Sequence, residues 1–593
     1  MSLPRALSAA LRRGIVVSLL ASSFAATSVV AAEAEPVTDS LIGASNTVWR
    51  YSDNYTDLVQ TIGSDESSRN FTWYTNVDTE QVLQYAPAIS GISFPAGQTT
   101  TVAATGEETT SGEYNRRATV ENLAENSTYV YRVGSAEGGW SDIHRITTRS
   151  FTGDYSFLFF GDPQVGASGN LTSDEAGWND TIDVALETYP DSELIFSSGD
   201  QVNTASNEAE YATYLSPSAM ANLPSVPVTG NHDVGSKAYE QHYTVPNLDP
   251  EAGKMSSSTA SGGDYWFEYK DVLYVVLNSN SSDYASHIDF MTSVVKEHGA
   301  DATWKVLAFH HSIYSVASHV SSDQVKDLRA TLPETISDLG FDLVLQGHDH
   351  SYTRTYLIKD GKLADASEVP GQSEVTAGKG EVLYITANSA SGSKYYEVKD
   401  PSAWYGSVIN QEKVRNYTSI EVTDTSITIR TLRSQAFGDE KPVNSVVDKV
   451  TLKREDVTAP TLTVPENTVI TEGDSFDPMT GISANDDVDG DLAGSVTIRG
   501  SVDTTTPDEY TLTYRVHDAA GNAAEAVRAV AVQARAASTT QPTMPVTDTS
   551  KVTADGTLSD TGDSATAMFV AASVLLLLGG SVLIGFRHGR KDA

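Results

Sequence analysis

Five short segments carry residue types that bind metal ions and move protons. They are Gly161-Asp162-Pro163-Gln164, Gly199-Asp200-Gln201, Gly230-Asn231-His232-Asp233, His310-His311-Ser312-Ile313-Tyr314 and Gly347-His348-Asp349-His350. Five of the twelve histidines lie in them. The chain has no cysteine, so thiolate sites, disulfides and Cys nucleophiles are excluded, and a metal must be held by imidazole and oxygen ligands. Taken singly, each segment has an ordinary reading. Asp162 and Asp200 could cap helices, Asn231 could sit in a turn, and His310 and His311 could be hydrogen-bonded core residues. That ordinary reading has to be repeated five times at equivalent places.

The places are equivalent because each segment follows an apolar run. The runs are 157–160, 193–196, 226–228, 305–309 and 341–345, and a sixth run at 272–277 carries no such segment. Continuous apolar runs of this length read as strands buried on both faces. Helix-like stretches at Thr181 to Glu187 and Asp323 to Leu332 lie between some of them. Strands alternating with helices predict helix-covered sheets, in which ligands bind beyond the strand ends. Glycine opens four of the five segments, as a tight exit from a strand requires.

The flanks are different in kind. Residues 43–150 are all-β, with alternating runs such as Phe71-Thr72-Trp73-Tyr74, and read as a sandwich packed on the next domain. The α/β pattern occupies 151–453, and a smaller Ig-like sandwich is expected at 456–533. Its acidic loop, 486–491, is a candidate calcium site. Residues 534–557, rich in Thr, Ser, Ala and Pro, read as a stalk. Arg5, Arg12 and Arg13 precede an apolar segment ending in Val30-Ala31-Ala32, which predicts an export signal over 1–32. Residues 558–593 carry Leu558-Ser559-Asp560-Thr561-Gly562, an apolar span from Ala565 to Phe586, and a basic end with Arg587, Arg590 and Lys591. That order resembles the sortase sorting signal of Gram-positive surface proteins, with Ser559 in place of the usual proline. The tail therefore predicts a surface protein tethered to cell wall or membrane. The net charge of −39 argues against an obligate nucleic-acid partner.

The ordered set of five segments resembles the calcineurin-like metallophosphoesterases, over about 300 residues. The β-rich text before it is similar to the fibronectin-like domain of purple acid phosphatases. The resemblance implies a four-layer α-β-β-α sandwich flanked by two all-β sandwiches. It implies two metal ions (Fe, Mn or Zn), the first held by Asp162, Gln164, Asp200 and His350, the second by Asp200, Asn231, His310 and His348. It gives His232 the role of stabilising the phosphoryl group or protonating the leaving oxygen, with Asp233 orienting it and His319 touching substrate. The implied activity is hydrolysis of small phosphomonoesters by a hydroxide that the metals generate from water. Phosphodiester or nucleotide hydrolysis at the same site is the rival, and a non-enzymatic surface-binding protein is the alternative of another class. Two positions depart from the pattern. Gln164 replaces a common histidine, which favours Mn or Mg over Zn at the first site. Asn203 stands where purple acid phosphatases place a tyrosinate ligand, so the protein is expected not to be purple.

Overall fold

The computed structural model describes residues 55–535 apart from 89–93, 96, 457, 466, 487 and 519. The expected export signal, the stalk from 536 onward, the sorting pentapeptide and the apolar span lie outside the described residues. Among the described residues no helix is long and apolar enough to cross a membrane.

Two sheets form the centre. In the first, Tyr155–Phe160, Ile195–Ser197 and Ser225–Pro227 run parallel and adjacent. In the second, Val272–Leu277, Trp304–Phe309, Leu343–Gln346 and Leu383–Thr386 do the same. The two-residue period of a strand explains why these segments are apolar throughout. Phe157 and Phe159 point into the layer between the sheets, where they meet Phe196, Tyr274, Val276 and Val306. Their neighbours Leu158 and Phe160 point the other way, onto Trp178 and Ile182 of the helix Leu171–Thr188. On the second sheet Leu273, Val275 and Leu277 face Met291 of Tyr284–His298 and Leu328 and Leu332 of Asp323–Asp338. The four layers are thus helix, sheet, sheet, helix. Both expected helices are present and longer than their sequence signals. Asn170 and Asp283 cap the first two by accepting from Ser173 N and Ser286 N.

The N-terminal sandwich is not a separate body packed on this core. Its strands Thr56–Ile62, Arg69–Thr75 and Tyr114–Val120 extend the first sheet to ten strands, joined where Thr61 pairs in parallel with Ser225. Its other sheet, which includes Val82–Pro87 and Thr128–Ser135, closes over Phe71, Trp73, Leu83, Tyr131 and Val133. The far side of the first sheet is completed by Asn416–Val422, Ser426–Arg433, Val446–Arg454 and Glu374–Ala377. The C-terminal sandwich has one three-stranded and one four-stranded sheet around Leu512, Tyr514 and Val530.

Candidate metal centre

The five segments leave the ends of the parallel strands on one side of both sheets, and their side chains converge in two overlapping groups. Asp200, His310 and His348 offer ligand atoms within 4.8 Å of one another, as do Asp162, Asp200 and His350. Asp200 belongs to both. In the first of these groups His310 Nε2 lies 3.1 Å from Asn231 Oδ1, 3.1 Å from His348 Nδ1 and 3.4 Å from Asp200 Oδ2. His310 Nδ1 is 2.9 Å from the Ser198 carbonyl. A carbonyl only accepts, so Nδ1 carries the proton and a neutral His310 turns its Nε2 lone pair toward other acceptors. His350 repeats the arrangement, with Nδ1 donating to Lys394 O at 2.9 Å and Nε2 at 3.2 Å from Asp162 Oδ2. Imidazoles fixed through one nitrogen by a backbone carbonyl, with the other facing carboxylate oxygens, are arranged for a cation.

The charge balance agrees. Burial pushes His310 down, but the carboxylates of Asp200 and Asp162 outweigh it and hold the imidazole up at about 10. Burial raises Asp200, yet His310 and His232 bring it below the usual carboxylate range. Burial and the surrounding imidazoles push His348 down. Without a metal the centre retains positive charge on one buried histidine, the place where metal ions would supply it.

Gln164 passes a separate test. Its Nε2 donates to Asn203 Oδ1 at 3.2 Å, whereas its buried Oε1 has no hydrogen-bond partner. A buried carbonyl oxygen left without a donor is costly. Its chemistry suits a ligand to an ion that Asp162, Asp200 and His350 would hold. The loops are also strained and interlocked. Gln164, Asp200, His348 and His350 all have positive φ, between 33° and 71°, a region costly for residues with a Cβ. A Cβ on Gly230 would lie 2.1 Å from Asp200 Oδ1, and one on Gly347 would lie 2.2 Å from Asp162 Oδ1. Glycine is required there because the backbone of one loop presses on the carboxylate of another.

The remaining expected residues divide. His232 is at the centre: its N–H donates to Asp200 Oδ1 at 2.8 Å and its Nδ1 to Asn203 O at 2.7 Å. His319 stacks on His348 with ring centroids 3.6 Å apart. Asp233 does not orient His232. Its buried carboxylate accepts from Gln201 N and Gly230 N at 3.0 and 2.8 Å, tying two ligand loops together. Asp162 and Asp200 are not helix caps, since Asn170 and Asn207 fill those positions. Tyr314 is buried against Tyr384 and Tyr405 and packs.

Three contacts at the centre escaped the sequence reading. Asn203 holds both Gln164 and His232. Asp349 holds His319 Nδ1 at 3.3 Å and the backbone of Val316 and Ala317. Tyr396 sets its ring edge-on to both His319 and His350. Asp349 had a signal, since the middle residue of a His-x-His must point away from the shared face; the other two had none. The acidic loop is also rearranged. Asp486 accepts from Val488 N and Asp489 N in a local turn, and among the described residues it forms a ligand-distance group with Asp456 and Asp518.

Residues 141–352 match the family profile of calcineurin-like phosphoesterases. This part of the chain is a calcineurin-like phosphoesterase. The phosphoesterase domain follows a match to the N-terminal domain of purple acid phosphatases over 56–148, and precedes a match to the Ig-like domain of bacterial surface proteins over 460–532. A purple acid phosphatase from yellow lupin seeds shares the fold at 14% identity and a TM-score of 0.52, over 68% of this chain and 74% of its own. A lipoprotein from Bacteroides thetaiotaomicron aligns over 13% of this chain and 40% of its own, at 34% identity and a TM-score of 0.12. No curated protein matches the chain. The chain is a metal-dependent phosphoester hydrolase with two all-β domains flanking its catalytic fold.

Proposed function

We propose that the chain is an exported, surface-tethered phosphatase that hydrolyses phosphomonoesters at a dinuclear metal centre. The observation that carries this is the pair of ligand groups sharing Asp200. The purple acid phosphatase match over 56–148 supports the monoester substrate. The bacterial surface match over 460–532, with the sorting-like tail, supports tethering.

Asp162, Gln164, Asp200 and His350 would hold the first ion, and Asp200, Asn231, His310 and His348 the second. Bound there, two metal ions supply Lewis acidity and a water acidic enough to attack near neutral pH. The protein supplies orientation and protons. The Nδ1–H of His232 is committed to Asn203 O, so its Nε2 is the nitrogen that faces substrate, and its imidazolium protonates the leaving oxygen. Asp349 fixes His319 through Nδ1, freeing Nε2 for a phosphoryl oxygen. Asp233 keeps the Asp200 and Asn231 loops in register.

A chromogenic monoester and diester, each with and without chelator, test the proposal. Chelator-sensitive cleavage of the monoester is expected, together with two metals per chain. Cleavage of neither ester by metal-loaded protein refutes it. Replacing His232 by Ala is expected to lower turnover about 10²–10⁴-fold with metal content unchanged. Loss of metal would instead make His232 a ligand.

A further inference from the structure

The segment after Leu383–Thr386 brings a cation to the edge of the centre. Ser391 Oγ donates to Pro163 O, and Ser393 Oγ does so at 3.1 Å, so this segment is fastened to the residue between Asp162 and Gln164. The carbonyl of Lys394 accepts from His350 Nδ1 at 2.9 Å, which fixes its backbone beside a ligand ring. Its ammonium lies 4.9 Å from the centroid of the half-buried Tyr396 ring. Tyr396 in turn sits edge-on to His350 at 4.9 Å and 67°, and to His319 at 5.1 Å and 87°. One ring therefore borders both a ligand of the first ion and the residue assigned to phosphoryl oxygens, and the ammonium is held on that ring.

Nearby cations are committed. Lys413 pairs with Glu397, and Arg415 with Asp180. Among the described residues Lys394 has no carboxylate within salt-bridge distance. In a chain with 78 acidic and 39 basic residues, an uncommitted ammonium one ring away from the ligand imidazole calls for an anionic partner. The substrate provides one. A phosphomonoester is close to dianionic at neutral pH, because its second pKa is about 6, whereas a diester keeps a single charge. The extra oxyanion is what a fixed ammonium recognises.

We propose that Lys394, positioned on the Tyr396 ring, selects dianionic phosphomonoesters over diesters at this centre. The assignment rests on the phosphatase reading above and narrows it. In the metal-loaded full chain, Lys394→Gln is expected to lower kcat/KM for 4-nitrophenyl phosphate by about 10–100-fold, the span of a charge-assisted hydrogen bond. The value for bis(4-nitrophenyl) phosphate should change by less than about threefold. Inorganic phosphate, titrated calorimetrically, should weaken by the same factor as the monoester. Lys394→Arg should restore both, and Tyr396→Ala should reproduce the loss while metal content stays the same. Equal losses on the two esters, or an unchanged phosphate affinity, overturn the assignment. Wild-type protein that binds two metals and cleaves neither ester refutes the hydrolase instead, and the phosphate affinities of wild type and Lys394→Gln then decide Lys394 alone.

Discussion

The two β-sandwiches differ in how they are attached to the phosphoesterase fold. The N-terminal one shares a sheet with it and is sewn in by buried contacts. Tyr131 donates to Ala221 O at 2.5 Å, Asn115 Nδ2 to Gln241 O at 3.0 Å, and the His242 ring is sandwiched between Tyr74 and Tyr211 with centroids 4.2 Å away on each side. The C-terminal sandwich shares no sheet with that fold and approaches it at Gly521, where a Cβ would lie 2.7 Å from the Arg454 guanidinium, itself stacked over Trp304. Among the described residues its core cluster has three buried side chains, against eleven in the N-terminal one, whose cluster also takes in Ala221 of the phosphoesterase fold. The first sandwich is part of the catalytic sheet, whereas the second keeps its strands in sheets of its own, so the two are expected to respond differently to perturbation.

Truncation should show the largest difference. A chain lacking 55–148 exposes the Ser225–Pro227 strand edge and the apolar face under Tyr131, and is expected to be insoluble or to lose its cooperative thermal transition. A chain lacking 456–533 should keep its turnover per bound metal within about twofold. Equal damage from both deletions would break the distinction. Single substitutions sharpen it. His242→Ala should destabilise the catalytic transition by roughly 3 kcal/mol, the scale of a lost buried ring. Leu512→Ala should cost about 2–4 kcal/mol but move only a separate C-terminal transition in calorimetry. Metal removal should lower the catalytic transition and leave the C-terminal one in place, since binding stabilises only the unit that holds the site.

A smaller effect, of opposite sign, is expected at Asp57, buried in the N-terminal sandwich. Burial raises its carboxyl to about 6, with Glu208 adding and His242 opposing. A folded pKa above the unfolded one favours the protonated form, so the contribution to stability is present at low pH and is lost as pH rises through about 6. Asp57→Asn should therefore stabilise the catalytic unit above pH 6 by roughly 2 kcal/mol, with little change near pH 4. The left-handed φ of 54° at this position suits Asn. A gain that is independent of pH would show that the carboxylate is not the cause.

The sequence displayed the centre well because parallel strands buried on both faces read as apolar runs, and the candidate ligands follow them directly. Asp162, Asp200, Asn231, His310, His348 and His350 were legible for that reason. The sheet that joins the two domains was not, since it rests on Thr61 meeting Ser225 across a long stretch of chain, with no local pattern to announce it. The four half-polar strands between 374 and 454 that complete the first sheet were also missed, as were Leu383–Thr386 and Gly406–Asn410 of the second. The partner of His232 was misread for another reason. Asp233 is adjacent and acidic, but the acceptor is a backbone carbonyl, which every residue has and no residue type marks. The group around Asp486 was hidden for the same reason, as Asp456 and Asp518 lie far from it in sequence and near it in space.

Gly230 and Gly347, each pressed against a carboxylate of a different loop, have a consequence for how the molecule is made. Neither Asp200 nor Asp162 can take its final position until a strand from elsewhere in the chain has been laid down. The Asp162 loop comes from the first sheet and the Gly347 loop from the second, so the centre closes only when the two sheets have stacked. Contacts so distant in sequence form late. The candidate metal site is then a checkpoint of assembly: a nascent or partly unfolded chain offers scattered histidines, and only the finished fold brings them together.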